Sequence, residues 1–515
     1  MHGSFPLNLS SHSHLVAPWR WTLVHRLVRR SPDSKETQVT DYPQLELLIG
    51  GEAIGAAGRE TIEVLDPASG DVIAALPAAT AADLDAALDS VSKGFKSWRK
   101  TSADEREAVL RKGAALIRER AKEIGAAITL EQGKPFKEAV GETIYCAMLL
   151  EFYAGECKRL YGRTLVRPDG QRAEVRYEPV GPVAGFSAWN FPALNVMRKV
   201  GGPLAAGCSV IVKPSEETPA GGLGIVKALH DAGVPGEVLQ CVFGVPSDIS
   251  EHLLASPVIR KVTFTGSTAV GKHLAKLAAE DLKRTTMELG GHGPVLIFND
   301  ADIDKALDTM SANKFRNAGQ VCVSPTRFLV EEDVFERFRD GFVERAKAIK
   351  VGNGMDGDTQ MGPMASQRGP DGIQVKLADA LDKGAKLEAG GNRIGNQGFF
   401  HEPTVLSEVP LDAEIMNEEP FGPVALINPM KGEAAMVEEA NRLPYGLAAY
   451  AWTQDAGRRM RMASDIEAGM VAINNGSVSA ADAPFGGVKW SGSGLEDGAE
   501  GVTACLVSKT VHESA

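Results

Sequence analysis

The stretch ATAADLDAALDSVSKGFKSW places Leu84, Leu88, Val91, Phe95 and Trp98 at steps of three and four residues, the spacing that lines one face of an α-helix. Thr80 stands where a helix N-cap belongs. The following SADEREAVLRKGAALIRERAKEIGAAI reads as a second helix, opened by Ser102 and Glu105 as a capping box that satisfies two otherwise orphaned backbone donors. On this reading two helices lead a globular region that begins at about residue 41. Between residues 181 and 300 the rhythm changes. GPVAGFSAW, SVIVKP, VLQCVFG, KVTFTG and PVLIF are strand candidates, and helical stretches start near 193, 218, 248 and 268. Short apolar strands alternating with helices predict a parallel sheet covered on both faces. Just before it, RTLVRPDGQRAEVRYEPV reads as a hairpin with Asp169-Gly170 at its turn, either an arm that pairs with another subunit or an ordinary surface hairpin.

Composition narrows the partners. A chain of 515 residues, 43% hydrophobic, is longer than one core needs, so two or three packed units are expected. With 55 basic residues against 67 acidic ones, the net charge of -12 argues against nucleic acid or an anionic membrane as partner and leaves small molecules. No apolar run reaches the roughly 18 residues of a membrane-spanning helix. The six cysteines are scattered, without a C-x-x-C pair, so neither a disulfide framework nor a zinc site is expected and a reducing, cytoplasmic setting fits. Residues 1–32 carry Arg20, Arg26, Arg29 and Arg30 but no acid, which reads as a disordered leader over 1–40 and leaves organelle import open.

The candidate chemistry begins with FTGSTAVGKH at 264–273. Strand, glycine turn and helix start suit a phosphate at a helix N-terminus. A P-loop needs Ser or Thr after its Lys to ligate magnesium, and here that place holds His273. The string is not G-x-G-x-x-G either, so the loop alone leaves a dinucleotide pyrophosphate or another phosphate open.

Four ordered segments change the picture: AWNFP with Asn190, MELGGHGP with Glu288, FRNAGQVCVSPTR with Cys322 and EEPFGP with Glu419. Taken together they resemble the aldehyde dehydrogenase family, from about residue 45 to the end of the chain. The chemistry agrees with the resemblance. Oxidising an aldehyde to an acid by hydride transfer needs a tetrahedral adduct, which a thiolate at Cys322 makes by adding to the carbonyl. The developing oxyanion needs fixed donors, such as the Asn190 amide and the Cys322 backbone N–H. The resulting thioester must be hydrolysed, and the family pattern gives Glu288 the role of general base. The resemblance also implicates Lys199 in a proton relay with that base.

The same resemblance assigns a cofactor and a substrate class. It implies NAD, less readily NADP, with Lys213 and Glu216 facing the adenosine ribose, where a carboxylate would repel a 2'-phosphate. Gly266 and Ser267 would lie near the pyrophosphate, Glu419 on the nicotinamide ribose and Phe421 near the ring, with Trp189 also among the cofactor-binding residues. In the succinate-semialdehyde branch, arginines placed like Arg198 and Arg316 clamp the distal carboxylate, and a serine placed like Ser479 completes the pocket. Two departures stand out. Ser324 replaces the second cysteine of a redox switch found in some members of that branch, and FGGVKWSGSGLEDGAEGVTACLVSKTV leaves the branch pattern after FGG, so glutarate or 2-oxoglutarate semialdehyde, or a general aldehyde, remain alternatives. The fold implied is α/β, with a Rossmann-type NAD-binding unit over 41–161 and 181–288, an α/β catalytic unit over 289–478, and a β oligomerisation arm from 162–180 and 479–515 that makes a homodimer or homotetramer. No metal site is expected. The rivals from other classes are a P-loop triphosphatase and a catalytically silent scaffold; a coenzyme A-acylating relative would lack the acid at Glu288.

Overall fold

A computed structural model describes residues 42–168 and 171–514. The expected leader over 1–40 and the Asp169-Gly170 turn lie outside the described residues. The two amphipathic helices form as expected. Ala81–Trp98 is capped by Thr80, whose hydroxyl accepts from the Asp83 backbone N–H while the Asp83 carboxylate accepts in return from the Thr80 N–H. Ser102 and Glu105 make the same reciprocal pair at Ala103–Glu119. The expectation that these helices lead the fold is corrected: strands Leu47–Ile49, Glu52–Ile54, Thr61–Leu65 and Val72–Pro77 precede them. Strands of three to six residues carry too few alternations to be read from periodicity. The second helix also ends early. A bend at Arg120 (φ -89°, ψ 8°) divides it from Ala121–Gln132, and both pieces thereby bury their apolar faces, Leu110 and Ile117 in one and Ile124 and Ile128 in the other.

Three sheets organise the rest. The first has eight strands in the order Glu52–Ile54, Leu47–Ile49, Leu239–Cys241, Val210–Lys213, Val183–Phe186, Lys261–Thr265, Arg284–Glu288, Gly492–Ser493. Its five central strands are parallel and largely buried because helices cover both faces. Val183–Phe186 and Val210–Lys213 are nearly continuous apolar runs, whereas Lys261–Thr265 and Arg284–Glu288 carry threonines and charged ends. The helices Pro192–Ala206, Pro219–Ala232, Pro246–Ala255 and Thr268–Glu280 start close to the places expected. PVLIF is a second correction. Its strand, Gly293–Ile297, joins a different seven-stranded sheet, between Pro325–Glu331 and Ala448–Trp452. Apolarity marks a buried strand but says nothing about which sheet receives it. The third sheet is antiparallel: Arg163–Val166 pairs with Arg172–Pro179, which pairs along its whole length with Leu506–Glu513. A C-terminal strand thus lies on the hairpin, and the segment leading to it, residues 484–505, passes beside the C-terminal ends of the first sheet's strands.

Candidate active site

Asn190 lies where the strand Val183–Phe186 gives way to helix Pro192–Ala206. With Pro192 in its first turn, that helix has no side-chain cap of its own. Instead a Glu142 oxygen accepts from the backbone N–H groups of Ala193 and Leu194 at 2.9 and 3.1 Å, and the other Glu142 oxygen receives Lys134 Nζ at 2.6 Å. Lys134 also donates to the Asn190 carbonyl at 2.8 Å, as Asn317 Nδ2 does at 2.9 Å. The Asn190 amide is pinned as well: Nδ2 donates to the Gln320 carbonyl at 3.1 Å, and Oδ1 accepts from Asn195 Nδ2 at 3.1 Å. One N–H of its two remains for a third party.

The loop that carries Cys322 is held against its own conformational preference. Asn317, Ala318 and Gly319 have φ of 50°, 50° and 70°, and a Cβ at Gly319 would stand 2.1 Å from the Gly422 carbonyl oxygen. Buried hydrogen bonds from Gln132 to Asn317 and from the Asn317 N–H to Glu138 secure the turn. Cys322 itself is half-buried, and enclosure pushes its thiol up to about 12, with Arg198 pulling the other way. Asn190 and Cys322 both line a cavity of about 270 Å³, with Glu288.

Glu288 ends the strand Arg284–Glu288 and is buried, yet neither carboxylate oxygen has a hydrogen-bond partner among the described residues. Burial, then the charge of Glu496, raises its pKa well above the carboxylate range, while Lys199 and Arg198 oppose the shift. Lys199 does not reach Glu288 directly. It ion-pairs with Glu496, which also accepts from Thr263 at 3.0 Å. The neighbouring Arg198 forms a second buried pair: Nε and Nη2 donate to the two Asp497 oxygens at 3.0 and 2.6 Å, Nη2 also reaches Ser479 Oγ at 3.3 Å, and the guanidinium lies 3.9 Å from the centre of the Phe485 ring. The expected carboxylate clamp therefore meets a counter-ion that the sequence reading had not assigned.

The same cavity continues to Trp189, Gly266, Ser267, Glu419 and Phe421. Trp189 and Phe421 meet edge to face at 5.4 Å, Phe421 in a left-handed conformation (φ 44°). Glu419 is raised to about 8 by burial, with the buried Lys314 opposing. Ser267 caps helix Thr268–Glu280, and Lys272 of the GSTAVGKH string stacks 3.4 Å from the centre of the Trp490 ring instead of reaching toward the loop. Lys213 and Glu216 pair at 2.5 Å one strand over, outside this cavity's lining. A dinucleotide fits these residues. They line the C-terminal ends of parallel strands, and there the hydroxyls of Ser187 and Thr265 are buried without a hydrogen-bond partner among the described residues. Arg316 and Ser479 line a second cavity of about 310 Å³, walled by Val321, Val323 and Tyr450. Ser479 there exchanges a hydrogen bond with Tyr145 at 3.1 Å.

A thiol, an amide donor and an unpartnered carboxyl converge beside a dinucleotide-shaped edge, and the model of the aldehyde dehydrogenase family matches residues 54–511. The chain belongs to the aldehyde dehydrogenase family. It is 46% identical over 468 residues to a 4-(hydroxymethyl)benzenesulfonate dehydrogenase of Comamonas testosteroni, covering 91% of this chain and 98% of that one. It is 39% identical over 468 residues to the NADP-dependent succinate-semialdehyde dehydrogenase of Escherichia coli, covering 90% and 96%. The crystal structure of succinate-semialdehyde dehydrogenase from Burkholderia pseudomallei superimposes with a TM-score of 0.90 at 40% identity, covering 92% and 98%. As a member of this family the chain is an oxidoreductase acting on aldehydes with a nicotinamide cofactor. Sequence reasoning missed the residues that steady the aldehyde dehydrogenase machinery: Lys134, Glu142, Tyr145, Glu496 and Asp497. For the last two a signal existed, since consecutive acids at 496–497 mirror consecutive cations at 198–199.

Proposed function

We propose that this aldehyde dehydrogenase oxidises an aldehyde whose far end carries an anion, with succinate semialdehyde placed first and NAD as hydride acceptor. Cys322 Sγ gives its proton to solvent water and adds as the thiolate to the carbonyl carbon. The growing oxyanion accepts from the remaining Asn190 N–H and the Cys322 backbone N–H. A nicotinamide dinucleotide held against Trp189, Glu419 and Phe421 would supply the hydride acceptor, and loss of hydride from the adduct carbon would leave an acyl thioester on Cys322. Glu288 then accepts a proton from water, the water oxygen attacks the thioester carbon, and Cys322 leaves as the acid forms. Lys199 and Glu496 set the charge around Glu288 without touching the substrate.

The observation that carries the substrate class is Arg316. Its guanidinium makes no hydrogen bond or ion pair among the described residues, lies 5.5 Å from the centre of the Phe191 ring, and shares the second cavity with the Ser479 hydroxyl. Relatives named for succinate, glutarate and benzenesulfonate compounds support an anionic far end. A sulfonated aromatic aldehyde is the second reading, favoured by the 46% identity to the benzenesulfonate enzyme. The Lys213–Glu216 pair supports NAD over NADP, because a 2'-phosphate placed there would meet the Glu216 carboxylate. NADH and NADPH formation from succinic semialdehyde, glutaric semialdehyde, 4-sulfobenzaldehyde and butyraldehyde, compared as kcat/KM, tests both points. Preference for butyraldehyde, or for NADP, would sink the corresponding assignment.

A further inference from the structure

Asp497 occupies a position that costs the fold something to keep. It is fully buried, and its backbone has φ 53° and ψ -178°, a region that belongs almost entirely to glycine. Its N–H donates to the Tyr153 hydroxyl at 3.0 Å, and its two carboxylate oxygens take Nε and Nη2 of Arg198 side by side. That bidentate fork is the geometry by which an arginine would grip a substrate carboxylate. Arg198 lines the catalytic cavity with Cys322, and its Nη2 reaches Ser479, which lines the second cavity, so the pair lies between the two.

We infer that Asp497 is a specificity-determining residue: it occupies and neutralises Arg198 as a built-in substitute for a substrate carboxylate, leaving recognition of the distal anion to Arg316 and the hydroxyls of Ser479 and Tyr145. The inference rests on the reading that the substrate's far end is anionic. With Arg198 paired, the region between the cavities presents an ion pair against the Phe485 ring instead of a free cation. Such a surface discriminates weakly between a carboxylate and an apolar end. It suits an enzyme that accepts anionic aldehydes of differing length and bulk, because the exposed Arg316 guanidinium lines the second cavity, whose lining does not include Arg198 or Asp497.

The test is the ratio of kcat/KM for succinic semialdehyde to that for butyraldehyde, in the native chain and in Asp497→Asn and Asp497→Gly. One solvent-exposed charge-assisted contact predicts a native ratio on the order of tenfold, whereas two free arginines predict about 100-fold or more. Freeing Arg198 should raise the ratio by about tenfold in each variant, through KM for the semialdehyde. Asparagine keeps the side chain's shape, and glycine relieves the backbone, so the two variants disturb the fold in different ways. A native ratio above about 100-fold, or variants whose ratio stays level or falls, overturns the inference and makes Asp497 a brace for a working clamp. The native ratio needs no variant to fold. A native ratio near one defeats the anionic-substrate reading instead, and the inference is then decided by the variants' change in ratio alone.

Discussion

Burial pushes the Cys322 thiol up to about 12 and the Glu288 carboxyl well above the carboxylate range, and neither Glu288 oxygen has a hydrogen-bond partner among the described residues. Two expectations follow at the residue scale. Asn190→Ala removes one of two oxyanion donors and should lower kcat by about 10²- to 10³-fold, with KM changed far less. Steady-state kinetics read this directly, and an equal loss in KM and none in kcat would assign Asn190 to binding. The second concerns pH. Glu288 must be ionised to take a proton from water, and its pKa is raised, so kcat should fall on acidification well before the ordinary carboxylate value of about 4.3 is reached. A kcat profile whose acid limb lies in the ordinary carboxylate range would contradict the raised pKa. Cys322, Asn190 and Glu288 were legible in the sequence because each belongs to a short contiguous motif. Asp497 was not, since its role depends on a partner 299 residues away.

At the scale of elements, three helices of the first sheet begin with proline and carry no side-chain cap of their own: Pro192–Ala206, Pro219–Ala232 and Pro246–Ala255. The first two each borrow a carboxylate from the helical layer in front. Glu142 serves Pro192–Ala206, and Glu131 accepts from Ala220 and Gly221 at the start of Pro219–Ala232, with Tyr42 donating to it at 2.5 Å. Burial raises Glu131 to about 7 even so. Lys134 therefore has two tasks, balancing Glu142 and holding the Asn190 carbonyl. Lys134→Met should destabilise the protein by about 3–5 kcal/mol by stranding a buried carboxylate. Denaturant unfolding followed by fluorescence measures this, and a loss below about 1 kcal/mol would mean that Glu142 finds another partner. Most strands and helices between 183 and 297 could be read from alternation of apolar runs and helical periods, but Arg284–Glu288, absent from the strand candidates, could not, because RTTME has a single apolar residue. Neither the bend at Arg120 nor the transfer of Gly293–Ile297 to the second sheet could, because both are settled by what the elements pack against.

For the whole molecule, the C-terminal segment links otherwise separate tasks. It places Glu496 and Asp497 under the catalytic cavity and then pairs Leu506–Glu513 with the hairpin strand Arg172–Pro179. We propose that the three-stranded sheet so formed joins copies of the chain, since it stands outside the two main sheets and leaves Val166 and Tyr177 exposed. Light scattering after gel filtration should show a dimer or tetramer, and Val166→Glu should shift it toward monomer; a monomeric native chain would refute the proposal. The central claim is covalent turnover at Cys322 with hydrolysis by Glu288. Its most direct test is mass spectrometry of Glu288→Gln mixed with NAD and succinic semialdehyde. Turnover through a thioester predicts NADH close to one equivalent per active site and one succinyl group on the peptide containing Cys322. Sustained NADH release with no acyl group on that peptide would contradict the mechanism.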